Sequence, residues 1–352
     1  MATRKRAAAP EYGPGTEAAA APEIRYPGLS PAAYEHPADS AASSALRSIP
    51  GLERVVKQLV ELGYERTLRQ AYLSASILVG PQQLPDVDSR WAEVKRRLDL
   101  PLSSPPLYVT QQPEVQAMAI GAQHPYVVIS SRSIEILDPV ELDVVLAHEA
   151  GHVLSGHTAL RTALQILQQI GSMGGLVPLA GIPLAAIRIA LLEWYRASEL
   201  TCDRAALLAT RDADAVLRTL MVLGGGLPSS RLSLDGFKAQ IEAVQDWDNG
   251  PDRLRRFLMQ LRQTHAVPVR RANELQRWIA SGDYDRIVAG DYARVGDESV
   301  RAAAGDAVDH YSDRFREIFT EAGGSVSRMG KRFAGWIRPD GDGGETGDAA
   351  PD

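Results

Sequence analysis

The sequence predicts an α+β fold that is mostly α-helical, with a small β-hairpin set beside a helix carrying HEAGH. Three observations predict it. Apolar residues recur at helical spacing over much of 45–105 and again over 191–279. Short runs rich in Val, Ile and Tyr, PLYVT at 106–110 and YVVIS at 126–130, are set off by glycine and proline as strands are. Between them and the later helices lies VELDVVLAHEAGHVLSGH, a capped helical stretch from Val140 to His157.

Composition sets broad limits. The chain has 352 residues, enough for one large domain or two modest ones, and 45% hydrophobic with 23% charged residues is ordinary for a globular protein. A net charge of −6 gives no reason to expect a nucleic-acid partner. The single cysteine, Cys202, excludes an internal disulfide and a cysteine-rich metal module, and fits a reducing cytoplasm. The first residues, MATRKRAAAPEYGPG, are basic without an apolar core, so no secretory signal is expected.

Residues 1–44 are rich in Ala, Pro and Glu and read as a disordered tail. Residues 45–105 read as a helical N-terminal region, with Leu46, Ile49, Leu52, Val55, Val56 and Leu59 at helical spacing and further helix and connection over 66–79 and 90–98. The domain proper is expected over 106–290. It opens with the strand 106–110 and a β-hairpin, 114–120 against 126–130, joined by the five-residue turn GAQHP. His124 in that turn reads as an exposed loop residue. Residues 291–337 form a C-terminal amphipathic helical region, and 338–352 an acidic disordered tail.

HEAGH gives His148, Glu149 and His152 in the H-E-x-x-H arrangement. Residues four apart on a helix lie roughly 40° apart on one face, so two imidazoles at this spacing can hold one Zn²⁺. Glu149 beside them can take a proton from the water that the metal activates. Asp138 as N-cap, Pro139 at the first position and Glu141 completing a capping box put the motif on a helix. Gly151 between the ligands lets another backbone or a substrate come close.

A catalytic zinc usually has three protein ligands. His157 is nine residues after His148, half a turn out of phase if the helix continues, and so is not the third. The extended motif with a later His fails as well, with Ser155 and Thr158 at its Gly and His positions. Glu199, in YRASELTCDRAAL, is the better candidate. Asp203 lies one turn on, on the same face, where it can take the hydrogen of a ligand histidine's other nitrogen. Cys202 between them has no base for thiol chemistry and reads as a small core residue. Residues 162–187 contain no charge. One membrane span there would put the two halves of the site on opposite sides, and two spans need about 40 residues. A buried or lid-like helical hairpin is expected, with shallow peripheral membrane contact through 162–187 as the alternative.

HEAGHVLSGH followed by YRASELTCDRAAL resembles the HtpX and CAAX prenyl endopeptidase type of zinc metallopeptidase, metallopeptidase family forty-eight. The resemblance runs from roughly residue 106 to 278. Gln116 stands where many members have Asn, and THAVP replaces the family's late T-H-P segment, with Ala266 after His265. The resemblance implies a gluzincin: a mostly helical zincin-like domain with a small sheet and one Zn²⁺ on His148, His152 and Glu199. Glu149 is then the general base, Asp203 orients a ligand, and His265 is the candidate oxyanion stabiliser, with Arg271 and Tyr195 behind it. A peptide substrate would add as a strand along 118–120. The function implied is a zinc metalloendopeptidase acting on proteins or peptides in protein quality control, cytoplasmic or membrane-associated. The competing expectation is a non-catalytic zincin scaffold used for binding or regulation.

Overall fold

The computed structural model describes residues 23–49, 52–61, 64–101, 103, 105–172, 184–245 and 267–297. His265, the central stretch 173–183 of the uncharged segment, residues 253–261 of the later run with helical spacing and nearly all of 291–352 lie outside them.

The tail drawn over 1–44 is too long. After a 3-10 turn at Pro31–Ala33, helix α1 spans Pro37–Arg47, with proline in its first turn and the His36 ring accepting from the Ala38 N–H. The run looked structureless because its core residues are alanines, yet Ala41, Ala42 and Ala45 are fully buried. The helices α2 (Leu52–Glu61) and α3 (Tyr64–Ser74) follow where helical spacing predicts. Residues 76–78, in a run read as helix and connection, form strand β1 (Ser76–Leu78). Three residues are too few to show a period, and their pairing comes from a strand thirty residues on. Then come α4 (Pro85–Arg97), β2 (Leu107–Thr110), β3 (Ala117–Ile120) and β4 (Tyr126–Ser130).

The sheet order is β1-β2-β4-β3. β3 and β4 form the expected hairpin, pairing antiparallel with Ala119 opposite Val127, while β2 runs parallel to β4 and antiparallel to β1. Among the described residues β3 is therefore an edge. Alternation on β4 divides the interior: Val127 and Ile129 enter one core, Tyr126 and Val128 the other. Both faces of the sheet are covered, so every residue of β4 is buried.

Helix α5 (Ser131–Ile136) leads into α6 (Pro139–Leu154). The capping box forms as predicted: Asp138 Oδ1 accepts from Glu141 N at 2.9 Å and Glu141 Oε2 from Asp138 N at 2.9 Å. The remaining elements are α7 (Thr158–Ser172), α8 (Leu184–Thr210), α9 (Ala213–Gly225), α10 (Leu234–Gln245), α11 (Pro268–Ala280) and α12 (Asp283–Val288). One core lies among α4, α6, the second half of α8, α9 and α11; the other lies among α1, α7 and the first half of α8. The two ends of the uncharged segment, 162–172 and 184–187, belong to α7 and α8 and line the second core. Among the described residues no helix is long and apolar enough to cross a membrane.

Candidate metal centre

The site is a crossing of two helices. A β-carbon on Gly151 would meet Ala205 Cβ at 2.8 Å and Cys202 Cα at 3.3 Å, so only glycine lets α8 lie this close to α6. At that separation Glu199 and Asp203, one turn apart on α8, both reach the histidines of α6.

Three donor atoms converge. Glu199 Oε1 lies 3.2 Å from His152 Nε2 and 3.7 Å from His148 Nε2. The opposite atom of each group is held elsewhere. His148 Nδ1 meets Asp203 Oδ1 at 3.1 Å, His152 Nδ1 meets His157 Nδ1 at 3.1 Å, and Glu199 Oε2 accepts from Arg271 Nη1 at 2.9 Å. Each donor therefore has its outward face fixed and its inward face turned to the same point, as a metal's ligands require. His148, His152, Glu199 and Asp203 are all buried, as the sequence leads one to expect of a site rather than a solvated face.

Charge follows from these contacts. Burial opposes ionisation of Glu199, but Arg271 and His148 outweigh it and hold the carboxyl well below its usual range. Asp203 is lowered in the same way, against burial, chiefly by Arg271, which donates to it from Nε at 2.8 Å and Nη2 at 2.6 Å. Burial and Arg161 keep His152 neutral, well below the ordinary histidine value. Burial also disfavours charge on His148, yet Glu199 and Asp203 together push it up to about 9.

His148, His152 and Cys202 also bring donor atoms within 4.8 Å of one another, so a second donor set overlaps the first. The carboxylate set fits a metal better. The position of Cys202 decides between them. Its Sγ lies 3.8 Å from His157 Nδ1, on the side of the Nδ1 of His152, whereas Glu199 faces the Nε2 atoms.

Glu149 sits beside the donors. Its Oε2 accepts from Ala119 N at 2.6 Å and from Arg161 Nη1 at 2.8 Å. Glu149, His148, Tyr195 and Arg271 line a cavity of about 410 Å³ whose walls include Val144, Val145, Val216, Leu220 and Val267.

Some expectations change. Arg271, offered as an oxyanion group, is engaged by Glu199 and Asp203. Tyr195 faces the cavity, but its hydroxyl also accepts from Arg161 Nη2 at 3.2 Å. His157 is not on the far side of α6. The helix stops at Leu154, Gly156 turns the chain at φ +70°, and the His157 ring folds back against His152. The role of Arg161 was missed; its signal is a lone cation just before twenty-six uncharged residues.

A helix with two histidines and a glutamate, faced by a carboxylate from a second helix and flanked by an edge strand, is the arrangement a metallopeptidase needs. The family model described as Peptidase family M48 matches residues 81–279, and the chain belongs to that family. The match takes in α4, which lies before the stretch that carries the resemblance in the sequence. The chain is also 34% identical over 278 residues, covering 76% of this chain and 78% of the relative, to "Plastoglobule-localized metallopeptidase 48, chloroplastic" of Arabidopsis thaliana. No solved structure matches the chain.

Proposed function

We propose that this peptidase is a zinc-dependent metalloendopeptidase, with the ion held by His148, His152 and Glu199. The observation that carries the proposal is the convergence of two imidazole Nε2 atoms and one carboxylate oxygen beside the pinned carboxylate of Glu149. A bound zinc ion would supply Lewis acidity there, making water nucleophilic near neutral pH and polarising the peptide carbonyl.

Glu149 takes a proton from the attacking water and hands it to the leaving amine. Ala119 N–H and Arg161 hold one of its oxygens, which fixes the direction of the other. Tyr195 stays protonated because burial raises its hydroxyl far above the ordinary value. Its one hydrogen is shared with Glu199; turning that hydrogen to the developing oxyanion is a role we assign to it together with His265.

The substrate's backbone pairs along β3. Ser130 N donates to Gln116 O, so in an antiparallel pair Met118 and Ile120 also face β4, while Ala117 and Ala119 face the open edge. In place of the 118–120 expected from the sequence, the proposed pairing uses backbone groups of Ala117 and Ala119. The Ala119 N–H is already given to Glu149, which ties the base to the strand that receives substrate. The cavity's Val and Leu walls favour an apolar side chain next to the cleaved bond.

Work in protein quality control, in the cytoplasm or against a membrane through 162–187, belongs to the same proposal. Its supports are the single cysteine and the relative, which is named for plastoglobules. Co-flotation of the full chain with lipid vesicles tests the membrane part; a chain that stays with the soluble fraction removes it.

The mechanism is tested with Glu149→Gln. The variant should keep one zinc per chain and lose casein cleavage by roughly a hundredfold or more. Cleavage at the wild-type rate by the variant sinks the mechanism. A wild type that binds zinc and cleaves nothing favours the non-catalytic scaffold.

A further inference from the structure

The donors His148 and Glu199 are braced by Asp203 and Arg271, but His152 is braced by something else. Its Nδ1 lies 3.1 Å from Nδ1 of His157, and His157 Nε2 lies 3.0 Å from Oδ2 of Asp39. Asp39 is on α1, more than a hundred residues away in sequence and outside the stretch matched by the family model. Its carboxylate is fully buried and well supplied with donors. Thr201 Oγ1 donates to Oδ2 at 2.6 Å and Ser43 Oγ to Oδ1 at 3.3 Å, while Trp194 Nε1 donates to Ser43 Oγ at 2.9 Å.

These contacts admit one placement of protons. If His152 turns the lone pair of Nε2 toward Glu199 and the metal, its proton is on Nδ1 and must be donated. Among the described residues the atom placed to accept is Nδ1 of His157, so the proton of His157 is on Nε2, where Asp39 accepts it. With that proton on the other nitrogen, two N–H groups would face each other across 3.1 Å.

We propose that Asp39 and His157 are positioning residues for the metal ligand His152. Asp39 fixes the tautomer of His157; His157 then accepts the Nδ1–H of His152, which orients Nε2 inward and raises its basicity. The N-terminal helix α1 is thereby part of the metal centre. The proposal rests on His152 being a ligand, as argued above.

The test is zinc affinity of the full-length chain, measured by competition with a chromophoric chelator and therefore independent of activity. Asp39→Asn and His157→Phe should each weaken zinc binding about 10- to 100-fold. The double variant should bind no more weakly than His157→Phe alone, because Asp39 acts only through His157. His157→Gln offers a side-chain carbonyl that accepts the same hydrogen without help from Asp39. It should bind within a few-fold of wild type, and adding Asp39→Asn to it should change nothing. Should Asp39→Asn fail to fold, the contrast between His157→Gln and His157→Phe still decides. Equal, wild-type affinity in both His157 variants overturns the proposal, as does an Asp39→Asn effect that persists undiminished in the His157→Phe background. His152→Ala separates the two levels: if it retains zinc at wild-type affinity, the ligand assignment itself has failed.

Discussion

Arg271 shows how individual residues depend on one another here. It spans Asp203 and Glu199 and so holds two carboxylates charged in a place where burial alone would protonate them. The same two carboxylates raise His148 from 6.5 to about 9. The sign follows directly. A raised histidine pKa means that the metal-free fold binds a proton there more tightly than the unfolded chain does. That stabilisation is complete below pH 6.5 and is lost as pH rises through about 9. Zinc must displace the same proton, so its affinity should rise with pH through this window. Calorimetry at neutral pH, in buffers of different ionisation enthalpy, should find about one proton released per zinc bound. No proton release would contradict the charge assignment. Glu199 and Asp203 could be found in the sequence because two acids one turn apart in an apolar helix need a buried partner. Asp39 could not, since nothing local distinguishes a buried, paired ion from a surface one, and Arg161 is marked only as a cation bordering an uncharged run.

At the scale of elements, the crossing of α6 and α8 sets the ligand spacing, and Gly151 sets the crossing. Gly151→Ala should destabilise the fold by about 1–3 kcal/mol through overpacking. It should also weaken zinc binding, because α8 carries Glu199 away with it. Thermal unfolding of the metal-free variant together with its zinc affinity checks this; unchanged values for both would mean that the helices have room to spare. The capping box made α6 legible to the residue at its start. Its end is marked by Gly156 near His157, and lies a few residues earlier, at Leu154. The phase that set His157 on the opposite face assumes a helix running past Leu154, whereas Gly156 breaks the period and reverses the ring. β1 escaped for a related reason, since a three-residue strand is defined by its partner and not by its own pattern.

Over the whole molecule, two cores meet at β4, and the proposed metal site lies where α6 and α8 cross. The hairpin, the motif helix and the second ligand helix were all legible, being local periods with clear ends. The closure of the site by α1 from one side and α11 from the other was not, because it joins residues more than two hundred positions apart. The claim on which the rest depends is that α6 and α8 together hold one zinc ion through His148, His152 and Glu199. Metal content of purified wild type, Glu199→Ala and Cys202→Ala tests it most directly. The expected result is one zinc per chain in the wild type and in Cys202→Ala, and little or none in Glu199→Ala. One zinc per chain retained by Glu199→Ala, with loss in Cys202→Ala, would contradict it and give the third position to the thiol.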